Sequence, residues 1–551
     1  MPALTPPGTS QEQQSEQTLP ESAIDPTLDR VEPAFQQNPL VDNDYTFAQA
    51  NGRYWYMGPS SSWAFCRRVL SLVGKHLPDA GCEPAPWHLD GSAFKMQRRP
   101  LGPDEAPDVS NLPPSDYALF LVKTATFYLG PLANIIDEQQ FLRNMRELYQ
   151  DAPTKAKRCR HWYAQFLLML AFGKAFLGNG GKSDKPPGFN YASRAMSLLP
   201  DLAEIDNDPV VAAQALTLAA IYFQSVDMRV PAFQHIGQAL RICVLAGMHR
   251  HMREDVVGVE LSKRCHIVFW IVYMLDLDWA ALIGATSSIR DEDITTKLPS
   301  QMDDSLNALT MTLQVRLSRL TTRILTTVYG VGKNFDGTLL TDTQSILRNL
   351  AEVARDLNGL ISTYFQDSIS KASRTATRLI LGYHHSCVDS AQTVLSTLRA
   401  LADEDLLESF LPFQVEYASS SAFLLHLITV ICPYLLHDDS WRDDINYILD
   451  TMIAKGSLVA PLRKVELSQL EQKLSSFTPA SDLPDFPESS HIDDDLQHQV
   501  QGEHEHEEHS IIDETGWDHF AANAMAGLSP RELLDLAEQL DVDCLLYPPE
   551  L

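Results

Sequence analysis

The sequence predicts an all-α fold, a large and irregular helical bundle or solenoid-like domain with disordered termini. Three observations support this prediction. From Asp116 onward, apolar residues recur at steps of three and four, which is the spacing of one helix face. The apolar and polar alternation of β-branched residues that is typical of strands is almost absent. Asp, Pro and Gly stand where helices are expected to begin and end.

The first long helices are expected within residues 116–170. Their apolar residues are Tyr117, Phe120, Leu121 and Phe127, then Phe141, Met145 and Leu148, then Trp162, Phe166, Met169 and Leu170. The third group follows Asp151-Ala152-Pro153, where Asp can cap a helix and Pro is tolerated in the first turn. We expect one continuous helix from there to the Gly- and Pro-containing stretch 178–188.

Four helices are expected between Phe189 and Pro299, over residues 191–199, 208–223, 231–246 and 260–283. Gly247 is placed to end the third, because glycine relieves the steric cost of a left-handed cap. The fourth is apolar on nearly every side, so it is expected to lie at the centre of the fold. These helices resemble a repeat solenoid, but no self-similar period is present. Further amphipathic helices are expected over 309–329, 341–364, 372–402, 414–435 and 440–455.

Composition divides the chain into three parts. Residues 1–43 are rich in Gln, Glu, Pro, Ser and Thr, so they predict a disordered arm. Residues 44–476 form the predicted helical domain, and residues 477–551 form an acidic C-terminal tail. The formal net charge is −29, and residues 481–551 hold nineteen acidic residues against one basic residue, Arg531. This charge opposes the phosphate backbone of nucleic acid, so no DNA-binding residues are predicted.

Metal, membrane and catalytic signals are weak. The eight cysteines are at least sixteen residues apart, so no zinc cluster is expected and buried, reduced thiols are predicted. The N-terminus lacks a signal-peptide pattern, and the apolar stretches 267–275 and 422–436 are interpreted as buried helices, not membrane spans. The G-x-S-x-G elbow, the phosphate loop and the dinucleotide fingerprint are missing. No catalytic, cofactor or metal-binding residues are predicted.

Four short motifs have a chemical and a structural interpretation. His249-Arg250-His251 suggests a metal site, but a cationic helix end favoured by the helix dipole is the preferred interpretation. His437-Asp438-Asp439 and Asp493-Asp494-Asp495 resemble hydrolase and magnesium motifs without the partner residues that such sites need. The basic run Lys155, Lys157, Arg158 and Arg160 fits a nuclear-import signal or a phosphate contact, and equally a solvated first helical turn.

The acidic tail carries a candidate contact surface. Its apolar residues, Ile511, Ile512, Trp517, Phe520, Leu533, Leu536 and Leu540, lie among acidic residues that keep them solvated. Residues 529–547 begin with a Ser-Pro-Arg-Glu cap pattern and form an amphipathic segment. This composition is typical of acidic activation segments that fold onto a partner. The alternative is a terminal helix that docks on its own domain.

A family resemblance rests on the order of several motifs. These are Tyr56 through Ser61, Ala213 through Leu216, Ala220-Ile221-Tyr222, Gly237 through Arg241, Ala246 through Arg250, Phe269-Trp270, Leu275-Asp276, Gly284-Ala285, Ile289 through Asp293, and Leu298-Pro299. In this order they resemble the middle homology region of fungal-specific transcription factors. The resemblance implies a nuclear regulator of RNA polymerase II transcription and of metabolic or secondary-metabolite genes.

One departure from that family affects the expected partners. Its members usually carry an N-terminal zinc cluster with six closely spaced cysteines, whereas the first cysteine here is Cys66. Either the regulator works without a cluster, or an upstream exon encodes one. The expected partners are transcriptional coactivators or a DNA-binding paralogue, in a homodimer or a heterodimer. The second hypothesis is a helical scaffold or inhibitor that pairs with such a paralogue and does not touch DNA.

Overall fold

The computed structural model describes residues 47–50, 53–75, 90–96, 99–102, 105–178, 185–200, 208–329, 337–365, 387–431, 436 and 438–475. The predicted arm of residues 1–43 and the tail of residues 477–551 lie outside the described residues. The predicted coactivator contacts, from Ile511 to Leu540, and the acidic run 493–495 therefore lie outside them too. Within the described part, the predicted all-α fold is confirmed, with one small exception.

The exception is a two-stranded hairpin at the start of the described chain. Strand β1 (Phe47–Ala50) pairs antiparallel with β2 (Arg53–Tyr56), in a register that places Phe47 opposite Tyr56. Four residues per strand give too short a pattern for an alternation signal, so the sequence did not predict it. The hairpin leads into helix α1 (Ser62–Lys75), which the sequence analysis also did not predict.

Fifteen further α-helices follow in the described chain. They are α2 (Ser115–Leu129), α3 (Glu138–Gln150), α4 (Ala152–Arg158), α5 (Arg160–Leu177), α6 (Phe189–Ser197), α7 (Pro209–Ser225), α8 (Arg229–Leu245), α9 (Glu254–Val257), α10 (Val259–Ile283), α11 (Leu306–Tyr329), α12 (Gly337–Phe365), α13 (Cys387–Asp403), α14 (Pro412–Ile431), α15 (Ser440–Ala454) and α16 (Ala460–Leu474). Short 3-10 turns cover Gly130–Ile135, Asp291–Asp293 and Pro299–Gln301.

The larger core is built around α10, as predicted. Helices α5, α7, α8 and α11 pack with α10 or with one another, and α2 and α6 pack on α5. The side chains of Trp270, Phe269, Tyr273, Tyr163 and Tyr222 are all fully buried there. Helix α10 and the segment Ser115–Ile135 are long and apolar enough to cross a membrane, but 72% of the α10 window is buried inside the protein. Helix α10 is therefore a central core helix.

A second core lies in the C-terminal helices. Helices α13 and α14 pack together with α15 and α16 around Leu395, Leu425, Trp441 and Ile448. Helix α1 joins this region through a small cluster in which Leu70 meets Leu427, Leu470 and Leu474. The first helix of the described chain is thereby placed against the last one.

The segment between α13 and α14 links the two cores. Phe410 lies within ring contact of Phe172, Phe176 and Tyr222, which belong to the larger core. The carboxylate of Glu408 accepts hydrogen bonds from the backbone N–H groups of Phe410 and Leu411. The link is thus fixed by aromatic packing on one side and by its own hydrogen bonds on the other.

Helix ends follow the predicted chemistry, with one correction. Gly247 has a φ of +73°, and the Met248 N–H donates to the Cys243 carbonyl, which is the hydrogen bond of a Schellman cap. The expected single helix after Asp151 is wrong, because Cys159 leaves helical geometry (φ −119°, ψ 55°) and separates α4 from α5. The break lets α4 pack on α3 while α5 runs through the core.

Candidate functional site

Two motifs of the resemblance meet at a close backbone contact. The Gly58 N–H donates to the carbonyl of Ile283, the last residue of α10, at 2.9 Å. A Cβ atom built on Gly58 would lie 1.8 Å from the Gly284 carbonyl oxygen, so only glycine fits this position. The Ser61 hydroxyl donates to the Gly58 carbonyl and accepts from the Ala64 N–H, which caps α1. The opening motif therefore anchors α1 to the end of α10.

The loop after α10 returns to the end of α8. The carbonyl of His249 accepts hydrogen bonds from the N–H groups of Thr295 and Thr296, and the Thr295 hydroxyl accepts from the His251 N–H. The indole N–H of Trp270 donates to the Lys297 carbonyl at 2.8 Å. The loop after α10 is thereby tied to the end of α8 and to Trp270 of α10.

Asp291 of the same loop holds α10 to α11. It accepts a hydrogen bond from the hydroxyl of Tyr273, and it lies 3.2 Å from the guanidinium of Arg319. That guanidinium also lies over the ring of Trp270, 5.3 Å from its centroid. Asp291 of the Ile289–Asp293 motif therefore connects Tyr273 of α10 with Arg319 of α11.

Asp276 is a buried carboxyl group inside this region. Its Oδ1 accepts a hydrogen bond from the Ser288 hydroxyl at 3.3 Å, and its side chain is not exposed to solvent. Burial raises the pKa of Asp276 to about 6, against the lowering effect of Ser288 and Arg241. Asp276 is the acidic residue of the Leu275-Asp276 motif, and its role in this structure is internal.

The chemical candidates take structural roles where they are described. The backbone at His249 and His251 ties two loops together, and Arg250 pairs with Asp293 at 3.4 Å. Asp438 accepts hydrogen bonds from the N–H and the hydroxyl of Ser440, and His437 lies outside the described residues. These contacts are those of loop and helix-start residues.

The basic run is only partly solvated, which corrects the interpretation as a solvated first turn. The ammonium group of Lys155 is buried, and it donates to Glu147 at 2.7 Å and to Asn144 at 2.8 Å. The guanidinium of Arg160 donates to the backbone carbonyls of Leu101 and Gly102. Two of the four basic side chains are thus engaged inside the fold.

A cavity of about 220 Å³ lies where α1, the α7–α8 turn, α14 and α16 meet, and we call it the seam cavity. Its apolar wall includes Met57, Trp63, Phe65, Leu70, Leu282, Phe423, Leu424, Leu427 and Leu467. Phe65 and Phe423 lie in ring contact, with 6.1 Å between their centroids. The side chains of Ser62 and Ser420, which also line the cavity, are exposed to solvent. The cavity is therefore open at its rim.

The other wall of the seam cavity is an ion network. The guanidinium of Arg229 lies 2.9 Å from Glu416 and 3.2 Å from Asp227. The guanidinium of Arg463 lies 2.8 Å from Glu416, 3.5 Å from Asp227 and 2.8 Å from Glu466. These five residues come from the α7–α8 turn, α14 and α16, so the network connects the two cores.

Burial and charge compete in this network. Burial disfavours the charged form of Arg229, but Glu416 and Asp227 outweigh it, so the pKa of Arg229 is raised. Burial raises the pKa of Glu416 above its ordinary value, against the effect of Arg229, and Asp227 and Glu466 raise it further. The ion pairs of the network thus offset part of the cost of removing Arg229 and Glu416 from water.

The seam cavity was not predicted from the sequence, because its charged residues are far apart along the chain. Arg229 and Glu416 are 187 residues apart, and Arg463 lies on a helix that was not predicted. Asp227 has a φ of +62°, which marks a tight turn, but Asp in a turn is common without any site. Because no local spacing joins these residues, only the fold brings them together.

The described motif residues cap helices, pack the core and fix loops, so their contacts are internal to the helical fold. Residues 124–385 match the family described as the Fungal specific transcription factor domain. The chain thus contains a fungal-specific transcription factor domain, as the motif order predicted.

Relatives with curated names support the same family. The chain is similar to "Activator of stress genes 1" of Saccharomyces cerevisiae, with 26% identity over 205 residues. It is also similar to "Transcriptional activator protein acu-15" of Neurospora crassa, with 26% identity over 260 residues. "Pyrimidine pathway regulatory protein 1" of Saccharomyces cerevisiae is 30% identical over 149 residues.

The similarity covers only part of each protein. The aligned segments cover 35%, 46% and 26% of this chain, and 21%, 26% and 16% of the three relatives, in the same order. No solved structure matches the chain. The comparisons thus establish the domain, and the seam cavity lies between that domain and the helices on either side of it.

Proposed function

We propose that this chain is a regulator of RNA polymerase II transcription that acts in the nucleus and is not an enzyme. The observation that carries the proposal is the match of residues 124–385 to the fungal-specific transcription factor domain. It is supported by relatives whose names describe an activator of stress genes, a transcriptional activator and a pathway regulatory protein. We further propose pathway-specific control of metabolic or secondary-metabolite genes, which is the common role of the family.

In this proposal the helical part is a regulatory scaffold and the tail contacts coactivators. The scaffold role is supported by motif residues such as Gly58, Asp291 and Trp270, which are engaged in internal contacts. The tail role is supported by composition: Trp517, Phe520 and the leucines up to Leu540 lie in a segment with nineteen acidic residues. Acidic residues keep such apolar side chains available for a partner.

A reporter experiment tests the tail. Residues 480–551 are fused to a heterologous DNA-binding domain, and transcription of a reporter is measured against the bare DNA-binding domain. We expect activation that falls in the double variant Trp517→Ala, Phe520→Ala, because these side chains are proposed to meet the coactivator. The matched control is His498→Ala, His504→Ala in the same tail, which is expected to keep activation. Activation equal to that of the bare domain would remove the tail from the proposal.

A second experiment tests whether the chain binds promoter DNA by itself or only together with a DNA-binding relative. Purified full chain is mixed with promoter DNA, with and without a DNA-binding relative, and the mobility of the DNA is recorded. The acidic charge of −29 predicts no shift by the chain alone and a supershift with the relative. A shift by the chain alone would exclude the alternative of a scaffold or inhibitor that depends on a DNA-binding paralogue.

A further inference from the structure

We propose that the seam cavity is a binding site for a compact amphipathic organic cation, an amine with an aromatic or aliphatic body. The proposal rests on the geometry of the cavity, and only its regulatory meaning rests on the proposed function. None of the motifs in the sequence resemblance supplies the charged residues of this site.

The apolar wall fits the body of such a ligand. Trp63 and Phe65 of α1 and Phe423 and Leu427 of α14 line the cavity. Aromatic and aliphatic side chains that line an open concavity bury apolar surface when a ligand displaces water from them. The cavity of about 220 Å³ is smaller than the roughly 300–1,000 Å³ of typical ligand sites, so a compact ligand is favoured.

The charged wall fits the head of the ligand. Four carboxyl groups line the cavity, those of Asp90, Asp227, Glu416 and Glu466, against the three guanidinium groups of Arg67, Arg229 and Arg463. One negative charge is left over when all seven groups are ionised. The guanidinium groups of Arg229 and Arg463 contact two or three carboxylates each. The guanidinium of Arg67 lies 4.9 Å from the centroid of the Trp63 ring. A single ammonium group would therefore balance the site.

Asp90 is one of the four carboxyl groups that give the cavity its excess negative charge. Its carboxylate accepts a hydrogen bond from the Val230 N–H at 3.0 Å. Burial raises the pKa of Asp90 above its ordinary value and the neighbouring charge of Asp227 adds to the shift, whereas the backbone N–H groups of Val230 and Arg229 and the charge of Arg229 act against it. A carboxylate that is partly desolvated beside another carboxylate gains free energy from an added cation.

The position of the site gives binding a structural consequence. The cavity is bounded by α1, the α7–α8 turn, α14 and α16, so a bound ligand contacts parts that belong to both cores. A ligand that binds only when these parts are together stabilises their arrangement by mass action. Under the proposed function, such a ligand would act as the signal to which the regulatory scaffold responds.

The test uses three probes of similar shape and different charge. Purified full chain is titrated with 2-phenylethylammonium, 2-phenylethanol and phenylacetate, and affinities are measured by calorimetry and ligand-observed NMR. We expect the ammonium to bind at least about tenfold more tightly than the alcohol, because a charge-assisted hydrogen bond replaces a neutral one. The carboxylate is expected to bind most weakly. Equal affinities, a preference for phenylacetate, or no binding of the ammonium would overturn the proposal.

Two matched substitutions place the binding in the seam cavity. Asp90→Asn keeps an oxygen acceptor for the Val230 N–H and removes one charge, so we expect the ammonium to lose its preference over the alcohol. Ser62→Trp fills the rim of the cavity and is expected to abolish binding of both probes. Ser115→Trp is the control, because Ser115 is also an exposed first residue of a helix and does not line this cavity.

The binding experiments test the ligand site independently of the proposed role in transcription. Ammonium binding unchanged in both Asp90→Asn and Ser62→Trp would place the ligand elsewhere and overturn the proposal. Circular dichroism shows whether Ser62→Trp is folded. If it is not folded, the affinity of Asp90→Asn for the ammonium alone decides whether the ligand binds in the seam cavity. The tail reporter does not contain the cavity, so its failure would leave the binding result intact, and the reverse also holds.

Discussion

At the scale of single residues, the described motifs work through contact and burial. Gly58 and Gly284 allow two backbones to approach, and Asp276 lies buried beside Ser288. Both glycines were recognised in the sequence as parts of ordered motifs, but the reason for glycine was not visible there. A close approach between residues that are more than two hundred positions apart has no local pattern, so it appears only in the fold.

The first residue-scale prediction concerns Gly58. Gly58→Ala places a Cβ atom 1.8 Å from the Gly284 carbonyl oxygen, so the backbone must shift. We expect a loss of about 1–3 kcal/mol in the free energy of unfolding, as for other overpacked sites. Urea denaturation of the purified chain measures it. Gly359→Ala is the control, because its Cβ would meet no atom within 4 Å in the middle of α12, and an unchanged or higher stability is expected there.

The second residue-scale prediction concerns pH and Asp276. Its folded pKa of about 6 lies above the ordinary value, so the folded state holds its proton more tightly than the unfolded state does. The contribution of Asp276 to stability is therefore present at low pH and is lost as the pH rises towards 6 and above. We expect Asp276→Asn, which cannot ionise, to gain roughly 1–3 kcal/mol relative to the wild type between pH 4 and 7. An identical pH dependence of unfolding in both proteins would contradict this.

At the scale of elements, helix ends marked by Asp, Pro or Gly were predicted best, and a break between two consecutive helices was not predicted. Asp208-Pro209 and Gly247 lie where the sequence placed the start of α7 and the end of α8. The α4–α5 break at Cys159 was missed, because no Pro or Gly marks it in the sequence and the helix resumes at the next residue. Helix α16 was missed as well: it mixes charged and apolar residues around its surface, and it is held by the network at Arg463.

The element-scale prediction concerns the cap of α7. The carboxylate of Asp208 accepts a hydrogen bond from the Val211 N–H at 3.1 Å. Asp208→Ala removes this partner of a free helical N–H, so we expect a loss of about 1 kcal/mol in the free energy of unfolding. Asp116→Ala is the comparison: Asp116 lies in the first turn of α2 but is not its cap, so a smaller effect is expected. Equal losses in the two variants would show that the cap is not the cause.

At the scale of the whole molecule, the ion network and the Phe410 link hold two cores together. The sequence predicted one helical domain for residues 44–476, but it gave no sign that the described part contains two cores with a charged cavity between them. The cores form from local helical patterns, which a sequence displays. The contacts between them depend on the folded positions of Arg229, Glu416 and Arg463.

The whole-molecule prediction concerns that network. Arg463→Met leaves the partly buried carboxylates of Glu416 and Glu466 without one of their cations, so we expect a loss of about 3 kcal/mol in the free energy of unfolding. We also expect the two cores to separate into distinct unfolding steps in calorimetry. Arg253→Met removes the exposed pair with Asp255 and is expected to change neither stability nor the number of steps. A single unchanged transition in Arg463→Met would show that the network does not couple the cores.

Regulation of transcription by this chain can be measured as its occupancy of chromatin. The tagged full chain is immunoprecipitated from the native fungus, and the recovered DNA is compared with transcript changes after deletion of the gene. We expect enrichment at a discrete set of promoters whose transcripts change on deletion, whether the chain reaches DNA itself or through a partner. Uniform recovery of DNA together with unchanged transcripts would contradict it.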